Sequence, residues 1–272
     1  MAKKVAYELM TPSELIAVKT AAPVVYLPLG PLEWHGPHLP VGMDGLHAHH
    51  LARLICSNTG GVVFPPLYLG TETVRNSGMG PQSTGTLGLP DGEPVVGMDF
   101  PGFDVKSVYI DEGAFGVIVQ DIVRKLVADD FRIVVIVNGH GAVNHQRTLR
   151  RIAREESAPP VVRVEYFPAW GGIRGMDGEP GHADKFETNV LLALEQEHVR
   201  LEALPPKDQP LYYYESGIVD ADAFNGNPTV DFSVPPEADP RDSTREAGLR
   251  LIDTEVAAGV QFVRALLSEL IS

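Results

Sequence analysis

Residues 131–145 read FRIVVIVNGHGAVNH. From Ile133 to Val137 every side chain is β-branched, with no polar alternation, the pattern of a strand covered on both faces. Asn138-Gly139 stops the run, and a helix is expected over about 143–156. A doubly buried strand that passes straight into a helix is the repeating step of a parallel α/β sheet. In open sheets of that kind ligands bind outside the carboxyl ends of the strands. His140 emerges at that position between Gly139 and Gly141, which permit unusual backbone angles and close approach of a ligand. An ordinary turn carrying a surface histidine is the competing reading.

Outward from this strand the same alternation continues. Residues 9–20 read as a helix, with Thr11 as N-cap, Pro12 at the first helical position and Glu14 at the third. PVVYLPL, 23–29, reads as a buried strand. A helix is expected after Asp44, ending at Gly60-Gly61, and 62–70, VVFPPLYLG, as a strand spoiled by its two prolines. A further helix is expected from Asp111 to about Asp129, then a strand VVRVEYFPA, 161–169. A glycine-rich loop at 171–181 opens onto a helix HADKFETNVLLALEQEH, 182–198, and a last helix covers about 242–270. Residues 71–108 lack periodicity, and a connection that long is normally functional or faces a partner. Residues 203–240, with Tyr212, Tyr213 and Tyr214 in a row, read as irregular. The expectation is one α/β domain over 1–272, a mainly parallel sheet with helices on both faces.

Composition narrows the class. The 272 residues are 44% hydrophobic and 21% charged, ordinary for a globular chain. A formal net charge of −14 repels phosphate backbones and anionic lipid, so neither nucleic acid nor membrane is an expected partner. Cys56 stands alone, which rules out an internal disulfide, and its apolar helical setting makes it a core residue. MAKKVAYELM has no apolar leader pattern and no apolar run is long enough to span a bilayer, so a cytoplasmic protein acting on a small molecule is expected.

The richest chemistry lies in GPLEWHGPHLPVGMDG, 30–45, which holds Glu33, His35, His38 and Asp44. If extended backbone persists to His35, Glu33 and His35 leave it on the same side. The turn-forming GPHLPVG then brings Asp44 beside them. Two carboxylates and an imidazole at a strand end suit a hard or borderline divalent cation such as Zn, Mn or Fe. A third motif, EPGHADKFETN at 179–189, places His182 near a helix start and Glu187 in its second turn, both able to lean toward a cleft. Asp184 and Lys185 read as the solvated face of that helix. His47, His49 and His50 lack a carboxylate at matching spacing and read as a surface or subunit-contact group, with His47 a candidate for supporting a ligand. His145 and His198 carry no assignment.

PLGPLEWHGPHLPVGMD resembles the signature of the creatininase (creatinine amidohydrolase) family at every position of Glu-x-His-Gly-Pro-His-Leu-Pro followed by Gly-x-Asp. NGHG, the HAxxxET segment, DFPG at 99–102 and ADPRDSTREAG are similar to family elements in order and separation, so the likeness covers nearly the whole chain. It implies a Rossmann-like three-layer α/β fold with two divalent metal ions (Zn, Mn or Fe), and homo-oligomers, often hexamers. By the resemblance, Glu33, Asp44 and His140 hold one ion, and His35, Asp44 and a further glutamate the second, with Asp44 bridging. In creatininase proper that glutamate lies two residues after the histidine of NGH. Here Ala142 occupies the place, which puts Glu187 forward and argues against creatinine itself as substrate.

The expected chemistry is attack of cation-activated water on a carbonyl of a small cyclic amide, with His182 as proton donor to the leaving group. Asp177 and Glu179 are candidates to orient His182 or touch substrate, and Trp34 and Trp170 to wall a small ring. Two alternatives stand beside it. One is C–C cleavage in a cyclic keto-polyol, a keto-inositol such as 3-dehydro-scyllo-inosose, as in one branch of the family. The other is a non-catalytic small-molecule binder that keeps the fold.

Overall fold

The structure is a computed structural model describing residues 5–75, 95–99, 105–173, 181–214, 217–219 and 233–271. Its centre is a four-stranded, wholly parallel sheet in the order β2 (Val62–Val63), β1 (Val24–Leu29), β5 (Ile133–Asn138), β6 (Arg163–Pro168). All six residues of β1 and all six of β5 are buried, as their unbroken apolar runs require. Alternate side chains feed two separate cores. Val24, Tyr26, Ile133 and Val135 pack against α2 (Met43–Thr59) and α6 (Arg245–Ile271). Val25, Leu27, Val134 and Ile136 pack against α3 (Glu112–Ala128) and α4 (Val143–Glu156). The result is the expected three-layer α/β sandwich.

Local signals act as read. Thr11 and Glu14 form a reciprocal capping box at the start of α1 (Pro12–Ala21): Glu14 Oε2 accepts the Thr11 N–H at 2.7 Å. Asp111 caps α3 by accepting from the Gly113 and Ala114 N–H groups at 2.9 and 3.1 Å. Cys56 is fully buried in the α2 core.

Several expectations need correction. The strand expected over 62–70 is confined to Val62–Val63, because Pro65 and Pro66 offer no N–H to a ladder; only an isolated bridge from Leu67 to Leu29 continues it. The helix expected over 182–198 is α5, Lys185–Leu194, followed by a short 3-10 turn at Gln196–His198. Asp184 is not a solvated residue: it is buried and its side chain accepts from the N–H groups of Phe186 and Glu187 as the N-cap. The three tyrosines expected in an irregular stretch form β7 (Tyr212–Tyr214), antiparallel to β8 (Gly217–Val219). Within 71–108 the described residues include a second small antiparallel pair, β3 (Val74–Arg75) with β4 (Val95–Val96). Among the described residues no helix is long and apolar enough to cross a membrane.

The sheet register positions the site. Leu29, the last residue of β1, pairs with Asn138, the last of β5, and Asn138 pairs with Pro168 of β6. The chain therefore leaves three neighbouring strands at one level, and Glu33, His140 and Trp170 follow those exits within a few residues.

Candidate metal centre

Four segments deliver side chains to one buried point. β1 ends at Leu29, so Glu33 and His35 are carried by irregular backbone beyond it and not by a continuing strand. Asp44 lies in the first turn of α2 and His140 just after β5. Glu187 is the third residue of α5. Glu33, His35, Asp44 and His140 are each at most 3% exposed.

Close approach of the backbone makes this possible. A Cβ on Gly139 would lie 2.0 Å from the Asp44 carbonyl oxygen, and one on Gly30 2.4 Å from Asp44 Cβ. Only glycine lets the ends of β1 and β5 crowd the first turn of α2 in this way.

Asp44 divides its two oxygens between two donor sets. Oδ1 is 3.2 Å from His35 Nε2, which is itself 3.6 Å from Glu187 Oε2. Oδ2 is 3.0 Å from His140 Nδ1, which is 3.1 Å from Glu33 Oε2. Donor atoms bonded tetrahedrally to one cation at about 2.0 Å stand about 3.3 Å apart. The two triads, Glu33–Asp44–His140 and His35–Asp44–Glu187, therefore have the spacing of cation-binding groups. A third grouping, Glu33 with His35 and His182, is looser: His182 Nδ1 is 3.9 Å from Glu33 Oε2.

The surrounding hydrogen bonds suit ligation. His35 Nδ1–H donates to the Glu33 carbonyl at 3.0 Å, which leaves Nε2 directed at the carboxylates, where a cation would take the place of a proton. Asp44 Oδ2 is buried with no hydrogen-bond partner among the described residues. Tyr109 donates to Glu33 Oε1, turning the other oxygen toward His140. Asn138 fixes the His140 backbone, accepting its N–H at 3.1 Å and donating to its carbonyl at 2.7 Å. His145 Nδ1 accepts the Thr71 N–H, so its Nε2–H donates to Asn138 Oδ1 at 2.9 Å, and His145 is a neutral prop for that turn.

Electrostatics tell the same story. Burial works against charge on His35, yet Glu187, Asp44 and Glu33 raise its pKa to about 10. His140 is likewise raised by Glu33 and Asp44 against the cost of burial. Burial raises Glu187 well above the usual carboxylate range, with His35 opposing. Burial also disfavours charge on Asp44, but His35 and His140 drive its pKa down. Two buried carboxylates and the half-buried Glu187, gathered this tightly, call for positive charge, from protons or from cations. The mixed nitrogen and oxygen donors fit Zn, Mn or Fe.

A cleft of about 460 Å³ opens over the cluster. Glu72, Thr73 and Gln146 supply polar wall, and Met98, Trp170 and Phe186 apolar wall. Ala142, the N-cap of α4, lines it without offering a ligand. Burial and the nearby His35 push the His182 pKa down to about 4, and its ring stands 4.4 Å from that of His35. Trp34 is buried beside His182, ring centroids 6.3 Å apart, and is not among the cleft-lining residues. Asp177 and Glu179 lie outside the described residues, as does most of DFPG; Asp99 accepts the Ser107 N–H and hydroxyl at 2.9 and 2.6 Å.

His47 is not a surface residue. It is 1% exposed, lines the cleft, and its Nε2 meets Glu255 Oε2 of α6 at 2.8 Å. His50, half-buried, meets Glu195 Oε1 at 2.6 Å. His38 is buried against Thr188 of α5. Glu72, Tyr109 and Glu255 escape a reading of the sequence because nothing in their local patterns sets them apart from ordinary polar positions.

The sequence profile described as Creatininase, creatinine amidohydrolase, matches residues 8–263. Creatinine amidohydrolase of Pseudomonas putida is 28% identical over 212 residues, 70% of this chain and 72% of that protein. A solved structure described as a creatininase with Mn shares the fold at a TM-score of 0.67 and 24% identity, over 97% of this chain and 99% of that one. A zinc–zinc form of a creatininase variant gives 0.66 at 23% identity, over 97% and 99% of the two chains. With the profile spanning all but the two ends and the fold shared throughout, the chain belongs to the creatininase family of hydrolases.

Proposed function

We propose that this protein is a divalent-metal-dependent hydrolase that adds water to a carbonyl of a small cyclic amide and cleaves its C–N bond. The observation that carries the reading is the division of Asp44, whose Oδ1 and Oδ2 face different triads, as a carboxylate shared by two cations would. Glu33, Asp44 and His140 would hold one ion and His35, Asp44 and Glu187 the other. Bound there, such ions supply Lewis acidity toward the carbonyl and lower the pKa of water.

The chain's own residues do the rest. His182, neutral at physiological pH because of burial and His35, accepts a proton from the attacking water and returns it to the leaving nitrogen. Trp170 and Phe186 pack against the ring and exclude water, while Glu72 and Gln146 offer hydrogen bonds that orient it. Ala142 leaves open the space where a glutamate would stand, which supports a substrate other than creatinine.

The polar wall of Glu72, Thr73 and Gln146 also suits a polyhydroxylated ring, so C–C cleavage of a cyclic keto-polyol is the second reading. The test is an assay of chelated and of Mn- or Zn-reconstituted protein against creatinine, other cyclic amides and a keto-inositol. The expected result is chelator-sensitive turnover of a cyclic amide and not of creatinine. Turnover of the keto-inositol alone favours the second reading. Failure to retain a transition metal or to turn over any of these favours a non-catalytic binder.

A further inference from the structure

Glu187 reaches the cluster from α5, opposite α4, where Ala142 presents no ligand. A glutamate has three side-chain torsions, so presenting it accurately demands a fixed helix start. The first turn of α5 is fixed in an unusual way. Ala183 holds φ +53, a left-handed conformation that costs a non-glycine residue energy, and this turns its N–H back onto Glu187 Oε2 at 2.5 Å. Asp184 caps the helix, and the Thr188 hydroxyl donates to the Asp184 carbonyl at 2.6 Å.

Having given its one proton there, Thr188 Oγ1 can only accept from His38 Nε2–H, 2.8 Å away. His38 Nε2 therefore carries a proton, and burial, which lowers its pKa to about 3, keeps the ring neutral. His38 sits three residues beyond His35 on the segment that carries Glu33. Its Nδ1 has no hydrogen-bond partner among the described residues, so the bond to Thr188 is the polar contact that accounts for an imidazole buried here. A continuous path thus runs from the His35 segment through His38, Thr188 and Asp184 to the turn that holds Glu187. The atoms it spans, His35 Nε2 and Glu187 Oε2, are 3.6 Å apart. Neither His38 nor Thr188 lines the cleft.

We propose that His38 and Thr188 are positioning residues that brace Glu187 against His35, so that α5 supplies the ligand that α4 does not. This rests on the reading of Glu187 as a ligand. The experiment titrates Zn²⁺ against a competing chelator in wild-type protein and in Glu187→Gln, Thr188→Val, Thr188→Ser and His38→Phe, with circular dichroism to verify folding. Glu187→Gln is expected to lose one equivalent. Thr188→Val and His38→Phe are expected to weaken that same equivalent by about 10–100-fold and leave the remainder unchanged, as for loss of an outer-shell partner. Thr188→Ser, which keeps the hydroxyl, is expected to restore it. If Glu187→Gln loses its equivalent but Thr188→Val titrates like wild type, or weakens every equivalent alike, the brace is wrong and the ligand reading stands. If Glu187→Gln keeps every equivalent, both fall.

Discussion

The hydroxyl of Tyr109 donates to Glu33 Oε1, the carboxylate oxygen turned away from His140, and so leaves Oε2 to face the imidazole at 3.1 Å. Tyr109→Phe keeps the ring and removes only the donor. The expected outcome is a 10–100-fold weaker hold on the cation nearest Glu33, with little change in fold, read by Zn²⁺ competition titration. Unchanged affinity would show that Glu33 is oriented without the tyrosine.

Gly139→Ala tests the crowding of β5 against α2. The added Cβ would meet the Asp44 carbonyl oxygen at 2.0 Å and its carbonyl carbon at 2.7 Å, both backbone atoms that cannot swing aside. A loss of more than about 2 kcal/mol in denaturant unfolding is expected, together with poor metal retention. A variant as stable as wild type would mean that the two segments are not so tightly apposed.

The buried pair of His47 and Glu255 joins α2 to α6 and borders the cleft. Glu255→Leu removes one partner and is expected to cost roughly 1–3 kcal/mol, because the His47 ring nitrogen is left buried without its hydrogen-bond partner. His47→Phe combined with Glu255→Leu is expected to recover part of that loss in the same melts. Additive losses in the double variant would argue that the two residues act separately.

Asp184 gives a pH signature. Burial raises its carboxyl to about 7, while the backbone N–H groups of Glu187 and Phe186 pull the other way. Between the unfolded value near pH 4 and about pH 7 the native state holds a proton that the unfolded chain has lost. Stability from this group therefore falls as pH rises through that window. Asn keeps a capping oxygen and does not titrate. Asp184→Asn is expected to gain on wild type by on the order of a few kcal/mol between those limits, at about 1.4 kcal/mol per unit, in metal-stripped protein followed by urea unfolding. Parallel pH profiles for the two proteins would remove the assignment.

Much of the scaffold is legible because it depends on neighbours in sequence. The apolar run Ile133–Val137 can only be a doubly covered strand, and the caps at Thr11 and Asp111 start helices through side chains one turn away. The same local logic misleads around α5. Asp184 has the composition of a solvated helix residue, but the short reach of its carboxylate makes it a cap, which moves the helix start to Lys185. The tyrosines at 212–214 become a strand only because 217–219 lies alongside.

The site divides similarly. Glu33, His35, Asp44 and His140 stand out in the sequence because carboxylates and imidazoles cluster at strand ends without serving a core. That the two clusters meet is decided by the pairing of Leu29 with Asn138, a register between strands more than a hundred residues apart. Only the tertiary structure could bring Tyr109 to Glu33, Glu255 to His47 and His38 to Thr188. A side chain's partner depends on which backbones lie within hydrogen-bond reach, and for distant segments local sequence carries no record of that.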